Sequence, residues 1–103
     1  MLTLGLLARL EAKSGREEEV ATLLRQALEL ANQEATTPVW FAMRLGPSTF
    51  AIFDAFADET ARTSHLSGPI AAALMDVAPT LLASAPVIER VDVLAVKLPD
   101  GTR

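Results

Sequence analysis

From Leu2 to Glu11 the chain alternates. Leu2, Leu4, Leu6, Ala8 and Leu10 fall on one side, and Thr3, Gly5, Leu7, Arg9 and Glu11 on the other. Period two predicts a strand, with a second face that is mixed because Gly5 and Leu7 interrupt it. The rhythm then changes. Val20, Leu23, Leu24, Ala27, Leu28 and Ala31 recur at three and four, which predicts one buried helix face over about 16–34. Ser14 followed by Glu17 reads as a capping box, and Glu17, Glu18 and Glu19 fall where the helix dipole favours negative charge. Such a run is a solvated helix start before it is a metal site. Pro38 breaks the pattern, having no amide proton to donate.

Period two returns over 39–45. Val39, Phe41, Met43 and Leu45 share one face, and Trp40, Ala42 and Arg44 the other. Gly46-Pro47-Ser48 is a turn, and 49–57 forms the return strand of a hairpin. On that strand Phe50, Ile52, Asp54 and Phe56 face one way, and Ala51, Phe53, Ala55 and Ala57 the other. Both faces are apolar, so both are expected to be covered, helices on one and a second sheet on the other. One small chain cannot supply a second sheet, which points to a homodimer. Asp58 is placed to cap a helix over about 59–66. Pro69 suits a first helical position, Ile70 to Val77 continues as helix, and Pro79 restarts a short turn through about Ala83. A last strand is expected over 87–97. The order β-α-β-β-α-β describes an α+β, ferredoxin-like split arrangement with an antiparallel sheet. Residues 1–98 form the single domain, and 99–103 a polar tail.

Composition narrows the functions. Half of the 103 residues are hydrophobic, a surplus that fits an oligomer interface. A net charge of −4 opposes phosphate backbones, so no nucleic-acid partner is expected. There is no cysteine and one histidine, which argues against thiolate chemistry and a protein metal site. The apolar start lacks the features of a signal peptide, and no apolar run reaches the ~20 residues of a membrane span. A cytoplasmic protein without membrane association is the expectation.

The candidate chemistry lies between Thr49 and Ile70. His65 titrates near neutral pH and suits proton transfer; the plainer alternative is a helix histidine bonding a backbone group or packing at a helix end. Asp54 stands among apolar face neighbours, where a carboxylate is costly unless paired. It either orients His65 or a substrate hydroxyl, or pairs with Arg44 or Arg90 or meets water at a strand edge. Trp40 and Arg44 share a strand face, and an indole plate beside a guanidinium suits an anionic aromatic. They serve equally as core tryptophan and surface arginine, or at a dimer seam. Met43 and Met75 read as gap fillers.

Over about 4–96 the chain resembles the antibiotic biosynthesis monooxygenase domain of the dimeric α/β-barrel proteins. The resemblance rests on A-K-S-G-R-E-E-E-V, on the hairpin, and above all on F-A-I-F-D-A-F-A-D-E-T-A-R-T-S-H-L-S-G-P. Family members carry an acidic residue, a spacer and a tryptophan on the third strand, then acidic residues, an alanine, a histidine and a small residue before proline. Here Asp54, Phe56, Asp58-Glu59, Ala61, His65 and Gly68-Pro69 stand at those places. The resemblance implies a homodimer whose sheets face each other as a barrel, with a pocket in each subunit between sheet and helices. It implies cofactor-free oxidation of a small quinol or phenolic aromatic by dioxygen, with His65 and Asp54 catalytic and Trp40, Arg44 and Phe56 against the substrate. A binding or isomerase-like module on the same fold is the alternative. Haem degraders of the family carry an asparagine, a tryptophan and a haem-ligating histidine where this chain has Ala8, His65 and Met75, so haem degradation is not expected. The chain also lacks tyrosine, and its one asparagine, Asn32, lies on the first helix, so the pocket chemistry of the polyketide oxygenases does not carry over.

Overall fold

The computed structural model describes residues 1–99. Four strands and three helices follow in the order β1 (Leu4–Glu11), α1 (Glu17–Gln33), β2 (Val39–Arg44), β3 (Thr49–Phe56), α2 (Glu59–Leu66), α3 (Pro69–Leu81) and β4 (Val87–Asp92). The sheet is antiparallel throughout, ordered β2-β3-β1-β4. This is the ferredoxin-like α+β arrangement the periodicities predict.

Register places every alternating residue on a definite face. Leu6 is opposite Asp54, Ala8 opposite Ile52 and Leu10 opposite Phe50, and this face lies under the helices. Val20, Ala21 and Leu24 of α1 and Leu74, Ala78 and Leu81 of α3 close over it. Trp40 pairs with Asp54 and Arg44 with Phe50, so the even positions of β2 also turn toward the helices. The other face carries Val39, Phe41, Met43, Ala51, Phe53 and Ala55 in register. Ala51 and Ala55 are buried there, yet Phe41 is 53% exposed and Met43 39%. At one end of that face Val93, Val96 and Leu98 pack on Leu2, Val39 and Ala55.

Several boundaries differ from expectation for local reasons. Ser14 does not cap α1. Gly15 adopts a left-handed φ of 84° in a turn where the Arg16 amide donates to the Lys13 carbonyl at 2.9 Å, so Arg16 rather than Ser14 stands at the cap, with no side-chain cap bond, and the helix begins at Glu17, within a residue of expectation. Asp58 does cap α2, its Oδ1 accepting from the Ala61 amide at 2.8 Å. Leu28 is 49% exposed rather than buried, since it stands at the rim of a cavity between α1 and β2. Pro79 lies inside α3, which runs unbroken to Leu81, and the bridge from Leu82 to Ala12 then ties that end to β1. The last strand stops at Asp92. Val93 donates to the Thr3 carbonyl at 2.8 Å, and 93–99 continues without a strand partner. Of the expected tail, residues 100–103 lie outside the described residues.

Gly5 is a close-approach position on the open face. A Cβ there would stand 2.9 Å from Val91 Cγ2, 3.1 Å from Phe53 Cε1 and 3.2 Å from the Asp54 carbonyl oxygen. The same residue's carbonyl accepts from the buried Arg62 at 3.2 Å, so its backbone cannot shift freely. Gly5→Ala is expected to lower stability by ~1–3 kcal/mol, measured as a reduced urea midpoint at an unchanged slope.

Candidate functional site

Three segments converge on His65. α2 carries it on the face that also buries Ala61 and Arg62. β3 carries Asp54, and the residue just past α1 is Glu34. His65 Nε2 lies 2.8 Å from Asp54 Oδ2, and Nδ1 lies 2.6 Å from Glu34 Oε1. Thr37 donates from its hydroxyl to the same Glu34 oxygen at 2.9 Å and stands 3.5 Å from Nδ1. The Phe56 ring packs against the imidazole at a centroid distance of 5.3 Å. Side-chain exposure is 7% for His65, 3% for Asp54 and 14% for Glu34.

These distances fix the charge state. Burial pulls the His65 pKa down, but the hydrogen bonds it donates to Asp54 and Glu34, and their charges, more than reverse this and raise it to about 9. At neutral pH the ring is an imidazolium between two carboxylates. Both nitrogens donate, and neither is left to act as a base without first giving up a carboxylate. The second oxygen of Glu34 is buried with no partner.

Asp54 and His65 form the polar part of an otherwise apolar cavity of about 110 Å³ between the sheet and the α2–α3 pair. Leu6, Ala8, Ile52, Ile70 and Leu74 supply its walls. Met75, 55% exposed, and Ile88, 44% exposed, stand on its outer side. Asp54 makes no ion pair with Arg44 or Arg90. Arg44 turns to Glu18 at 3.0 Å and to the Pro47 carbonyl at 2.8 Å.

The expected site residues therefore divide. Asp54 and His65 meet directly, with Phe56 beside them. Trp40 and Arg44 line a different cavity, between α1 and β2. Glu34 and Thr37 were missed by the sequence reading. A signal existed for Glu34, since a carboxylate at a helix C-terminus opposes the dipole and needs a compensating cation. Nothing in the spacing points to Thr37. Among the described residues no group of three or more potential metal ligands is assembled, and no helix is long and apolar enough to cross a membrane.

Because the folded chain holds the His65 proton more tightly than the unfolded chain does, protonation favours folding. That contribution is whole below pH 6.5 and is lost as the pH rises to about 9. Urea unfolding is expected to show a loss of ~1–2 kcal/mol across this interval, allowing for solvent screening. His65→Ala is expected to abolish the slope and to cost ~3 kcal/mol at pH 7, since it leaves two carboxylates facing each other.

No protein-family model matches the chain, and no curated protein matches it. Solved structures do. A protein of unknown function from Nitrosomonas europaea is 58% identical, with a TM-score of 0.95 over 98% of each chain. An antibiotic biosynthesis monooxygenase structure is 17% identical, with a TM-score of 0.75 over 89% of this chain and 99% of that one. A Caulobacter crescentus protein provisionally named an antibiotic biosynthesis monooxygenase is 23% identical, with a TM-score of 0.73 over 91% and 92% of the two chains. The chain belongs to one family with the Nitrosomonas europaea protein and carries the antibiotic biosynthesis monooxygenase fold.

Proposed function

We propose that this chain is a cofactor-independent monooxygenase that oxidises a small quinol or phenolic aromatic with dioxygen. The observation that carries the reading is that Asp54 and His65, the latter braced from behind by Glu34, form the polar part of an apolar cavity on this fold. An aromatic ring enters the cavity with its hydroxyl toward Asp54, and the carboxylate accepts the phenolic proton. The imidazolium is the nearest fixed positive charge. It stabilises the phenolate and then the superoxide formed when that phenolate gives one electron to dioxygen. A raised pKa favours this role for His65 over that of resting base. The substrate supplies every electron. One ring C–H becomes a carbonyl, the phenol becomes the second carbonyl of a quinone, and the other oxygen atom leaves as water.

The same fold supports a small-molecule binding or isomerase-like module. The engagement of both imidazole nitrogens favours it, because a closed cluster orients ligands more readily than it exchanges protons.

Oxygen uptake with a panel of reduced quinols and monohydric phenols separates the two. The monooxygenase consumes one dioxygen per quinone formed, and Asp54→Asn and His65→Gln each lower kcat by ~100-fold or more. Saturable ligand binding without oxygen uptake, or uptake unchanged by both substitutions, sinks the oxygenase reading in favour of the module.

We also propose that two copies pair through the face of the sheet opposite the helices. Phe41, Met43 and Val87 are exposed along two register rows of that face, and exposed apolar surface of this kind marks association. Sedimentation at ~10 µM, well above the Kd of standard-sized interfaces, is expected to give twice the chain mass. Phe41→Glu shifts the protein toward monomer. A wild-type monomer at that concentration overturns the pairing.

A further inference from the structure

The cavity between α1 and β2 is separate from the Asp54 cavity and larger, about 380 Å³. Its apolar wall includes Leu24, Leu28, Trp40 and Phe50, and two arginines, Arg25 and Arg44, complete it. No carboxylate lines it, in a chain whose net charge is −4. That local excess of positive charge is the first clue to an occupant. The second is the geometry of Arg44. Its guanidinium lies 5.0 Å from the Phe50 ring centroid and is anchored to the Gly46 and Pro47 carbonyls at 3.3 and 2.8 Å. A cation held against an aromatic face is oriented before any ligand arrives. Its one ion pair is to Glu18, whose side chain is 76% exposed, and such a pair is easily exchanged for a better anion. Arg25 has no ion-pair partner among the described residues.

The third clue lies in the wall itself. The indole N–H of Trp40 is buried and makes no hydrogen bond. The Trp40 ring gives the cavity an aromatic wall. Leu28, half exposed at the rim, is apolar surface that an occupant would cover.

We propose that this cavity binds a planar aromatic carboxylate, its ring against Trp40 and Leu28 and its carboxylate between Arg25 and Arg44. The site is distinct from the proposed oxidation site, and occupying it requires no chemistry at Asp54 or His65. The two readings stand or fall apart, since one is tested by oxygen uptake and the other by binding.

The single tryptophan gives one indole signal in a ¹⁵N–¹H correlation spectrum. Titration of the full chain with 2-naphthoate is expected to move that signal saturably, whereas the neutral 2-naphthylmethanol binds at least ten-fold more weakly. Arg25→Gln should weaken naphthoate at least five-fold. Leu28→Glu, which sets a carboxylate at the rim on an exposed position, should weaken naphthoate at least ten-fold and the alcohol by a smaller factor. Thermal melts confirm that both variants fold. Equal affinity for acid and alcohol, an indole signal that does not respond, or naphthoate binding indifferent to both substitutions overturns the proposal. So does a saturable response confined to the residues around Asp54.

Discussion

One buried cation decides how three parts of this chain meet. His65 on α2 is held by Asp54 from the sheet and by Glu34 from the end of α1. Each of these groups is costly alone. A carboxylate buried in the face of a sheet is unsolvated, and one following a helix C-terminus opposes the dipole. The imidazolium offsets both at once. The groups are therefore conditional on one another: removing His65 leaves two carboxylates without a cation, and removing either carboxylate leaves one ring N–H without its acceptor. Arg62, three residues earlier on α2, makes a second tie of the same kind, bonding the Gly5 carbonyl of β1 at 3.2 Å and Glu59 at 2.5 Å. Two buried cations on one short helix thus pin it to the two central strands. This matters because α2 has only eight residues and too little apolar surface to hold itself in place.

The covered face of the sheet is divided rather than uniform. Trp40 and Asp54 are cross-strand neighbours, yet they border different cavities. One cavity is small, apolar and closed by a cluster with an excess of negative charge. The other is wider, arginine-lined and open beside α1. A neutral or proton-donating ring suits the first, and an anion suits the second. The chain thus separates opposite electrostatic environments across one strand pair, which a single mixed pocket could not do.

Much of this was legible in the residues. The change of period from two to three-and-four and back gives the element order, and the face assignments on β2 and β3 agree with the register residue by residue. Asp54 stood out as the one charge among apolar neighbours, and it meets His65 as one of the sequence alternatives required. What stayed hidden depends on distance in space. Glu34 lies 31 residues from His65, and no local pattern joins them. The division of Trp40 and Arg44 from Asp54 follows from where α1 and α3 cross the sheet, and periodicity does not encode that. The missing Ser14 cap of α1 has a local cause. The capping-box pattern at Ser14 competed with a glycine turn, and the turn prevailed.

The strand order carries a consequence for the way this chain comes to be folded. β1 precedes both of its partners along the chain and is an inner strand of the finished sheet, with β3 on one side and β4 on the other. Its two partners are joined to it across most of the sequence, Leu4 reaching Phe56 on one side and Asp92 on the other. During synthesis the N-terminal segment therefore waits with both hydrogen-bonding edges open while later residues emerge. The β2–β3 hairpin, by contrast, closes locally through a three-residue turn and is ready early. The hairpin thus carries the local contacts of the sheet, and the pairings of β1 with β3 and β4 carry the long-range ones. Long loops are closed before their contacts repay the lost entropy, and this slows folding relative to a helical chain of the same size.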